Sequence, residues 1–270
     1  MSLFDKYKVI VFDLGGTLME YVGMPLNWSE YYPEAFRHVN EINKLNLSEE
    51  EISKAVEILK SYNPRITKRE IEIDPEDMFK EILKSWNANK QIYEQVFPKD
   101  NKHNFDINNS DESENKKFDK DNNSDESENK LFDKDNTSDM DSFIKKIIQD
   151  FFDGMNLKPV IFDYTKNLIK SCKAHGCKVA CLTDLASGMP DYFFREDIAE
   201  IVNEFDLYVS SKTCGYRKPN KAGIEYIASK CEVDVKQILL VGDEEKDYNT
   251  ANNANCDFMF ISDFKTIVIK

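Results

Sequence analysis

The sequence has few of the residues that mark zinc-binding or disulfide-rich proteins. It contains six cysteines and three histidines in 270 residues, and no two cysteines form a C-x-x-C pair. This spacing excludes the common Cys/His zinc sites. Cys172, Cys181 and Cys256 lie in or beside apolar runs, which is typical of buried thiols in a reducing compartment.

Long apolar runs and an excess of basic charge are also missing. No stretch of 18 apolar residues occurs, and the first residues do not form a charged-then-apolar signal sequence. We therefore expect a cytoplasmic protein with no membrane contact. The formal net charge of −14 argues against nucleic acid and anionic membranes as partners, because both bind basic surfaces.

Much of the negative charge falls in one segment that repeats itself. Residues 100–141 hold 14 acidic residues against 6 lysines, and NNSDESENKKFDKD at 108–121 recurs with one change at 122–135. Two copies with one Phe apiece cannot bury a core, so we predict a disordered acidic insertion. The repeat has two possible explanations, a duplication within a surface loop and a tail that binds a partner. The sequence identifies no protein partner.

The second half of the chain alternates between apolar runs and helical patterns. Strands are predicted at 178–184, 206–211, 237–243 and 257–262, with helices at about 163–174, 190–201, 221–231 and 247–254. Residues 7–13 form a further apolar run that ends at an acid and two glycines. This order predicts an α/β fold with a doubly wound, Rossmann-like parallel sheet.

The segment between the first strand and the rest has a helical pattern and is too long for a loop. Ser48 with Glu51 predicts a capping box, Asp74 before Pro75 predicts a helix start, and Asp141 predicts another. We therefore predict a core of residues 1–18 and 158–270. Residues 19–157 would form an inserted α-helical cap domain that contains the acidic insertion.

Polar residues follow several of the predicted strands. They are Asp13, Gly15 and Gly16 after the first, Thr183 and Asp184 after the second, Lys218 in the loop after the third, and Asp243 and Asp247 after the fourth. The carboxyl ends of parallel strands meet at one edge of a sheet. Clustered carboxylates need a cation, and ligation by oxygen alone favours Mg²⁺. The lysine and the loop amides would then attract a phosphoryl group.

These motifs resemble those of the haloacid dehalogenase superfamily. FDLGGTL at 12–18 is similar to its first motif, and Thr183, Lys218-Pro219 and Gly242-Asp243 with Asp247 match the other three in order. The resemblance covers the predicted core. Members of the superfamily that have a helical cap carry that cap directly after the first motif. It implies a magnesium-dependent phosphatase that acts through an aspartyl-phosphate on a small phosphorylated metabolite.

The resemblance also implies a role for each matching residue. Asp13 would be the nucleophile, Thr183 and nearby backbone amides would bind phosphoryl oxygens, and Lys218 would shield the charge between Asp13 and phosphate. Asp243, Asp13 and the Gly15 carbonyl would ligate Mg²⁺, with Asp247 supporting the ion directly or through water. Gly16 and Asp184 are predicted substrate-binding residues. Taken singly, these side chains also fit ordinary roles, such as a helix cap for Asp243 or a surface lysine for Lys218.

Gly15 departs from the pattern, because phosphatases of the superfamily have a second Asp there that acts as general acid and base. Such help contributes about 10²–10⁴ in rate. The enzyme could use substrates with good leaving groups, a cap residue or water could replace the acid, or the protein could bind a phosphate compound with little turnover. Dehalogenation and phosphonate hydrolysis are further alternatives; the second needs a cap lysine, for which Lys68 is a candidate.

The cap is expected to supply specificity. Its candidate residues are Tyr21, Trp28, Tyr31, Tyr32, Arg65 and Arg69. Trp28, Tyr31 and Tyr32 lie about one turn apart, which favours a stripe that packs in the core. Arg65 follows Asn63-Pro64 in a predicted loop, where it would grip a second anionic group or stay on the surface.

Overall fold

The computed structural model describes residues 3–86 and 134–268 of the chain. Its centre is a sheet of five parallel strands in the order β5-β4-β1-β6-β7, and a separate antiparallel pair joins β2 to β3. In chain order the strands are β1 (Val9–Phe12), β2 (Met19–Tyr21), β3 (Pro159–Ile161), β4 (Lys178–Thr183), β5 (Leu207–Ser210), β6 (Ile238–Gly242) and β7 (Asp257–Phe260). The predicted α/β fold with a doubly wound parallel sheet is confirmed.

Eleven α-helices lie within the described ranges, and the first four fall between β2 and β3. They are α1 (Tyr32–Asn43), α2 (Glu49–Ser61), α3 (Pro75–Ser85), α4 (Lys134–Met155), α5 (Thr165–Ala174), α6 (Asp191–Asp197), α7 (Ala199–Val202), α8 (Ser211–Cys214), α9 (Ala222–Cys231), α10 (Glu245–Ala254) and α11 (Ile261–Val268). Short 3-10 turns occupy Leu3–Asp5, Trp28–Glu30 and Val235–Gln237. None of these helices is both long and apolar enough to cross a membrane.

Strand β1 lies at the middle of the sheet and is buried on both faces. Ile10 and Phe12 belong to one apolar cluster, and Val9 and Val11 belong to the other. Such continuous burial is what an uninterrupted apolar run is expected to give in a parallel sheet. The strand is paired with β4 on one side and β6 on the other, so Asp13 leaves the sheet between the ends of those two strands.

The four inserted helices pack on one another around aromatic side chains. Helix α1 packs against α4, and α3 packs against both α2 and α4. Phe36, Phe79 and Phe151 are fully buried, with ring centroids 4.7–6.3 Å apart. The antiparallel pairing of β2 with β3 joins the two ends of the inserted segment. The boundaries between core and cap stay predictions.

Three predicted helix starts have different outcomes. The capping box of Ser48 and Glu51 is present at the start of α2. Asp74 precedes α3, but its side chain caps no backbone N–H group and forms an ion pair with Lys212. The prediction for Asp141 is wrong, because this residue lies inside α4.

The start of α4 also changes the predicted extent of the acidic insertion. Residues 134–141 belong to this helix, although we assigned them to a disordered segment. Once the part of α4 around Ile144 and Phe151 is packed, the helix is already nucleated. Each further turn then adds hydrogen bonds at little cost in conformational entropy. The rest of that prediction, residues 100–133, lies outside the described residues.

Candidate active site

Several of the predicted strand-end residues line one cavity of about 860 Å³, and the other two, Asp243 and Asp247, lie beside Asp13. Asp13 follows β1 directly, Thr183 is the last residue of β4, and Lys218 reaches the same space from the loop after α8. Gly15 and Gly16 also line the cavity. The expected convergence at the carboxyl ends of parallel strands is therefore present in the geometry.

Lys218 lies between two buried carboxylates. Its Nζ is 2.7 Å from Asp13 Oδ1 and 2.6 Å from Asp247 Oδ1, and the side chain is 1% exposed. Burial alone would lower the pKa of Lys218, but Asp13 and Asp247 raise it above its usual value. The lysine is therefore held as a cation beside Asp13.

Asp13 is a buried carboxyl group whose charged neighbours shift its pKa in opposite directions. Burial raises its pKa to about 7, although Lys218 acts in the opposite direction, and Asp247 adds to the rise. The residue is 3% exposed yet forms part of the cavity wall. A nucleophile needs this combination of a fixed position and contact with the substrate space.

Asp243 is oriented by a residue that the sequence analysis missed. Thr17 is fully buried, and its Oγ1 donates a hydrogen bond of 2.8 Å to Asp243 Oδ1. Burial raises the pKa of Asp243 even though Thr17 opposes this rise. The only signal in the sequence is a hydroxyl directly after the two glycines of the first loop.

Gly16 has a backbone φ of 76°, and an added Cβ would overlap the Asp243 carboxylate. Position 16 requires a glycine for steric reasons, because both the left-handed backbone and the close Asp243 carboxylate exclude a side chain. Its predicted role in substrate binding stays a prediction.

Asp247 takes part in the capping box at the start of α10, where Glu244 is the N-cap residue, and it also binds Lys218. Its Oδ2 accepts a 3.0 Å hydrogen bond from the Glu244 backbone N–H, while Oδ1 accepts the Lys218 ammonium. Burial acts to raise the pKa of Asp247, but Lys218, Lys246 and the Glu244 backbone N–H together lower it. Asp247 therefore fixes Lys218 and the start of α10 together.

The three carboxylates fit a divalent cation. Asp13, Asp243 and Asp247 each offer one oxygen, and these oxygens lie within 4.8 Å of one another. An all-carboxylate set of this size suits Mg²⁺ better than a soft metal. Gly15 lines the cavity, and its predicted carbonyl ligand stays a prediction.

The other two predicted binding residues differ in their surroundings. Thr183 is 3% exposed at the end of β4 and lines the cavity. Asp184 Oδ1 accepts a 3.0 Å hydrogen bond from the Lys218 backbone N–H. Asp184 therefore holds the loop that carries Lys218, and its contact with substrate stays a prediction.

Arg65 reaches the cavity but already has a partner. Its Nη2 donates to both carboxylate oxygens of Glu244, at 2.5 and 2.9 Å. Burial would lower the pKa of Arg65, but Glu244 raises it. The predicted loop position is confirmed, and the side chain joins the inserted segment to the residue that follows Asp243.

The aromatic candidates of the inserted segment separate into two groups. Tyr21, Trp28 and Tyr32 line the cavity, whereas Tyr31 is 37% exposed and donates to the Gly23 carbonyl. The predicted core stripe of Trp28, Tyr31 and Tyr32 is wrong for Tyr31. Trp28 lies in a 3-10 turn that Tyr31 ends, and α1 begins only at Tyr32, so the three side chains do not share one helical face. Tyr32 alone is fully in the core, at 3% exposure.

The two adjacent glycines of the first loop give a matched test of the site. We expect Gly16→Ala to weaken Mg²⁺ binding by about 10–100-fold, because the new methyl group must displace the Asp243 carboxylate. Gly15→Ala is the control, since its Cβ would meet no atom within 4 Å. Titration calorimetry with Mg²⁺ measures both. Equal affinities for the two variants would contradict the placement of Asp243 in a metal site.

The structure thus has an acidic cluster and a buried lysine at the strand ends of a doubly wound sheet, which is where ligand sites of such folds lie. The family model described as "haloacid dehalogenase-like hydrolase" matches residues 7–255. The chain therefore belongs to the haloacid dehalogenase-like hydrolases. The resemblance inferred from the four motifs is confirmed, and the protein is a hydrolase of this superfamily.

Three individual proteins illustrate the similarity. A phosphoglycolate phosphatase of Colwellia psychrerythraea is 27% identical over 103 residues, which is 37% of this chain and 44% of that protein. The chain thus matches less than half of that relative's length. A 2-haloacid dehalogenase structure from Pseudomonas syringae pv. Tomato has a TM-score of 0.52 at 13% identity, covering 94% of this chain and 86% of that one. A structure described as a predicted phosphoglycolate phosphatase from Haemophilus somnus has a TM-score of 0.45 at 17% identity, covering 94% and 84%.

Proposed function

We propose that this hydrolase is a magnesium-dependent phosphatase that acts on a small phosphorylated molecule through an aspartyl-phosphate on Asp13. The observation that carries the proposal is the position of Asp13. Its carboxylate lies on the cavity wall, 2.7 Å from the Lys218 ammonium and within the oxygen cluster formed with Asp243 and Asp247. A nucleophile, a fixed cation and a site for a second cation are therefore in contact.

The reaction follows from what these residues do. A carboxylate oxygen of Asp13 attacks phosphorus, the bond from phosphorus to the leaving oxygen breaks, and the leaving group departs as an anion with the bonding electron pair. Water then attacks phosphorus, and the bond between phosphorus and Asp13 breaks to release inorganic phosphate. Lys218 and the polar end of Thr183 stabilise the charge on the phosphoryl oxygens. When bound, Mg²⁺ would offset the charge of the carboxylates and polarise the phosphoryl group.

Gly15 limits the substrates that the site can process quickly. No carboxyl group is present at this position to protonate a leaving oxygen. We therefore expect acyl or aryl phosphates, whose leaving groups need no proton, to react faster than alkyl phosphates. The name of the Colwellia relative supports a small phosphorylated substrate, but the short matched region leaves the compound itself open.

A binding protein with little turnover is the second candidate function. The absence of a carboxyl group at Gly15 favours it, since capture of a phosphate compound needs only the cation site and the loop amides. Dehalogenation fits less well, because it needs no metal and leaves the cluster of Asp13, Asp243 and Asp247 without a purpose. Lys68 lines the cavity, but no contact supports the Schiff base that phosphonate hydrolysis needs.

The proposal is tested by assaying aryl, acyl and alkyl phosphates with Mg²⁺ and with EDTA. We expect turnover of the aryl and acyl phosphates that depends on Mg²⁺, and slower turnover of alkyl phosphates. Binding of the same compounds without hydrolysis would support the second candidate. Hydrolysis at the same rate in EDTA would contradict the role given to the carboxylate cluster.

A further inference from the structure

The chain between the end of β2 and the 3-10 turn before α1 lines the cavity with apolar side chains. We call four of them the apolar wall: Tyr21, Met24, Leu26 and Trp28. Leu26 is 67% exposed and the other three are partly exposed, so a molecule in the cavity can contact all four. A concave surface lined in this way is typical of a site for an apolar part of a ligand.

The aromatic members of the apolar wall present ring surface to the cavity. The Tyr21 hydroxyl is already used, because it donates a 2.6 Å hydrogen bond to Asp197. The rings of Tyr21 and Trp28 contact each other edge to face, with centroids 5.1 Å apart. A ligand ring can add to such a pair, and the Met24 thioether also suits an aromatic partner. The apolar wall therefore fits an aromatic group better than a short alkyl chain.

The charged side chains of the cavity do not favour a second anionic group. Six acidic and six basic residues line it, so their formal charges cancel. Each of the three arginines is ion-paired with a glutamate, Arg65 with Glu244 and both Arg69 and Arg217 with Glu72. Lys68 is exposed, so water screens its charge. Apart from the phosphoryl group, an uncharged substrate therefore suits this cavity best.

The chemistry at Gly15 restricts the same end of the substrate. No carboxyl group is present at this position to protonate the leaving oxygen, so the leaving group has to depart as a stable anion. A phenolate meets this condition, since the pKa of a phenol such as tyrosine is about 10, whereas an alkoxide is far more basic. An aromatic ring bonded directly to the leaving oxygen therefore satisfies both the reaction and the apolar wall.

We propose that the substrate is an aryl phosphate monoester with an uncharged ring, and that this ring binds against the apolar wall. The inference rests on the proposed phosphatase function, because it concerns the leaving group of the same reaction. The phosphoryl group then lies at Asp13 and Lys218, and the ring lies towards Leu26 and Trp28. An acyl phosphate also has a good leaving group, but a small one such as acetyl phosphate has no ring to place against this wall.

Binding to the apolar wall is separated from reactivity by phosphonates, which resist hydrolysis because carbon replaces the leaving oxygen. Titration calorimetry in Mg²⁺ compares benzylphosphonate, propylphosphonate and 3-phosphonopropionate, which has a carboxylate where propylphosphonate has its methyl group. Wild type should bind benzylphosphonate at least about tenfold more tightly than propylphosphonate, because the ring buries more apolar surface. It should bind 3-phosphonopropionate no more tightly than propylphosphonate.

Two variants of the apolar wall and one matched control locate the ring. Trp28→Ala should weaken benzylphosphonate binding by about tenfold and Leu26→Ala by about threefold, with propylphosphonate changed less than about twofold. Val22→Ala is the control for Leu26→Ala, because Val22 is also an exposed aliphatic residue of this segment, at 51%, but does not line the cavity. It should leave all three affinities unchanged.

Turnover gives a second readout in the same variants. Trp28→Ala should lower kcat/KM for phenyl phosphate by about tenfold and leave that for acetyl phosphate within about threefold. If it lowers both equally, Trp28 has only a structural role, so the phosphatase function stands and the inference fails. If wild type hydrolyses neither compound, the phosphatase function fails and the phosphonate affinities alone decide where an aromatic ring binds.

Four binding results would overturn the inference. They are equal affinities of wild type for benzylphosphonate and propylphosphonate, tightest binding of 3-phosphonopropionate, a preference for benzylphosphonate that survives in both wall variants, and an equal loss in Val22→Ala. Binding of none of the phosphonates in Mg²⁺ would contradict both the inference and the proposed phosphoryl site.

Discussion

Asp13→Asn is expected to lower kcat for aryl phosphates by at least about 10⁴-fold, because an amide oxygen cannot form the covalent intermediate that the carboxylate forms. The substitution keeps the size of the side chain and an oxygen that can still accept from Lys218, which lies 2.7 Å from Asp13 Oδ1. The assay is steady-state hydrolysis in Mg²⁺ with the purified variant and wild type side by side.

The control for Asp13→Asn is the folded state. Asp13 is buried among charged groups, so a loss of activity through misfolding must be separated from a loss of the nucleophile. Circular dichroism and the thermal midpoint should show a folded protein that still binds phosphate compounds. A folded variant that retains wild-type turnover would show that Asp13 is not the nucleophile.

Gly15→Asp is expected to accelerate hydrolysis of alkyl phosphates by about 10²-fold or more, because it restores an acid and base beside the reacting group. The structure has room for this side chain: a Cβ at Gly15 would meet nothing within 4 Å, and the backbone there is not in the left-handed region. Presteady-state kinetics would locate the gain, either in departure of the alkoxide or in breakdown of the aspartyl-phosphate.

Gly15→Asn is the matched control for this gain. The amide has the same shape as the carboxyl group but cannot exchange a proton, so alkyl phosphates should react no faster than with wild type. Equal acceleration by Asn and Asp would assign the effect to shape or packing. No acceleration by Asp would mean that another group already performs the proton transfer in the native site.

The sequence was sufficient for the parts of the site that lie directly after strands. Asp13, Thr183 and Asp243 each follow an apolar run, and parallel strands bring such ends together without further information. Lys218 was placed by the motif rather than by a strand end, since α8 and a tight loop lie between it and β5. The structure shows that loop held to the inserted segment by the bond from Arg217 N–H to the Glu70 carbonyl.

The contacts across long sequence distances could not be predicted. Nothing in the local pattern pairs Glu72 with Arg217, or Arg65 with Glu244, because these bonds depend on how the inserted segment docks on the core. The short pairing of β2 with β3 was missed for the same reason. Three-residue strands carry too little alternation to be recognised, and only the folded chain brings their edges together.

The central claim is that Asp13 attacks phosphorus, and chemical trapping of the intermediate tests it most directly. Wild-type protein is mixed with an acyl or aryl phosphate and Mg²⁺, quenched within one turnover and treated with borohydride, which reduces an aspartyl-phosphate to homoserine. Mass spectrometry of the peptides should find homoserine at position 13 only when Mg²⁺ and substrate are both present. Substrate turnover with no modified Asp13, or with the modification on another carboxylate, would contradict the account.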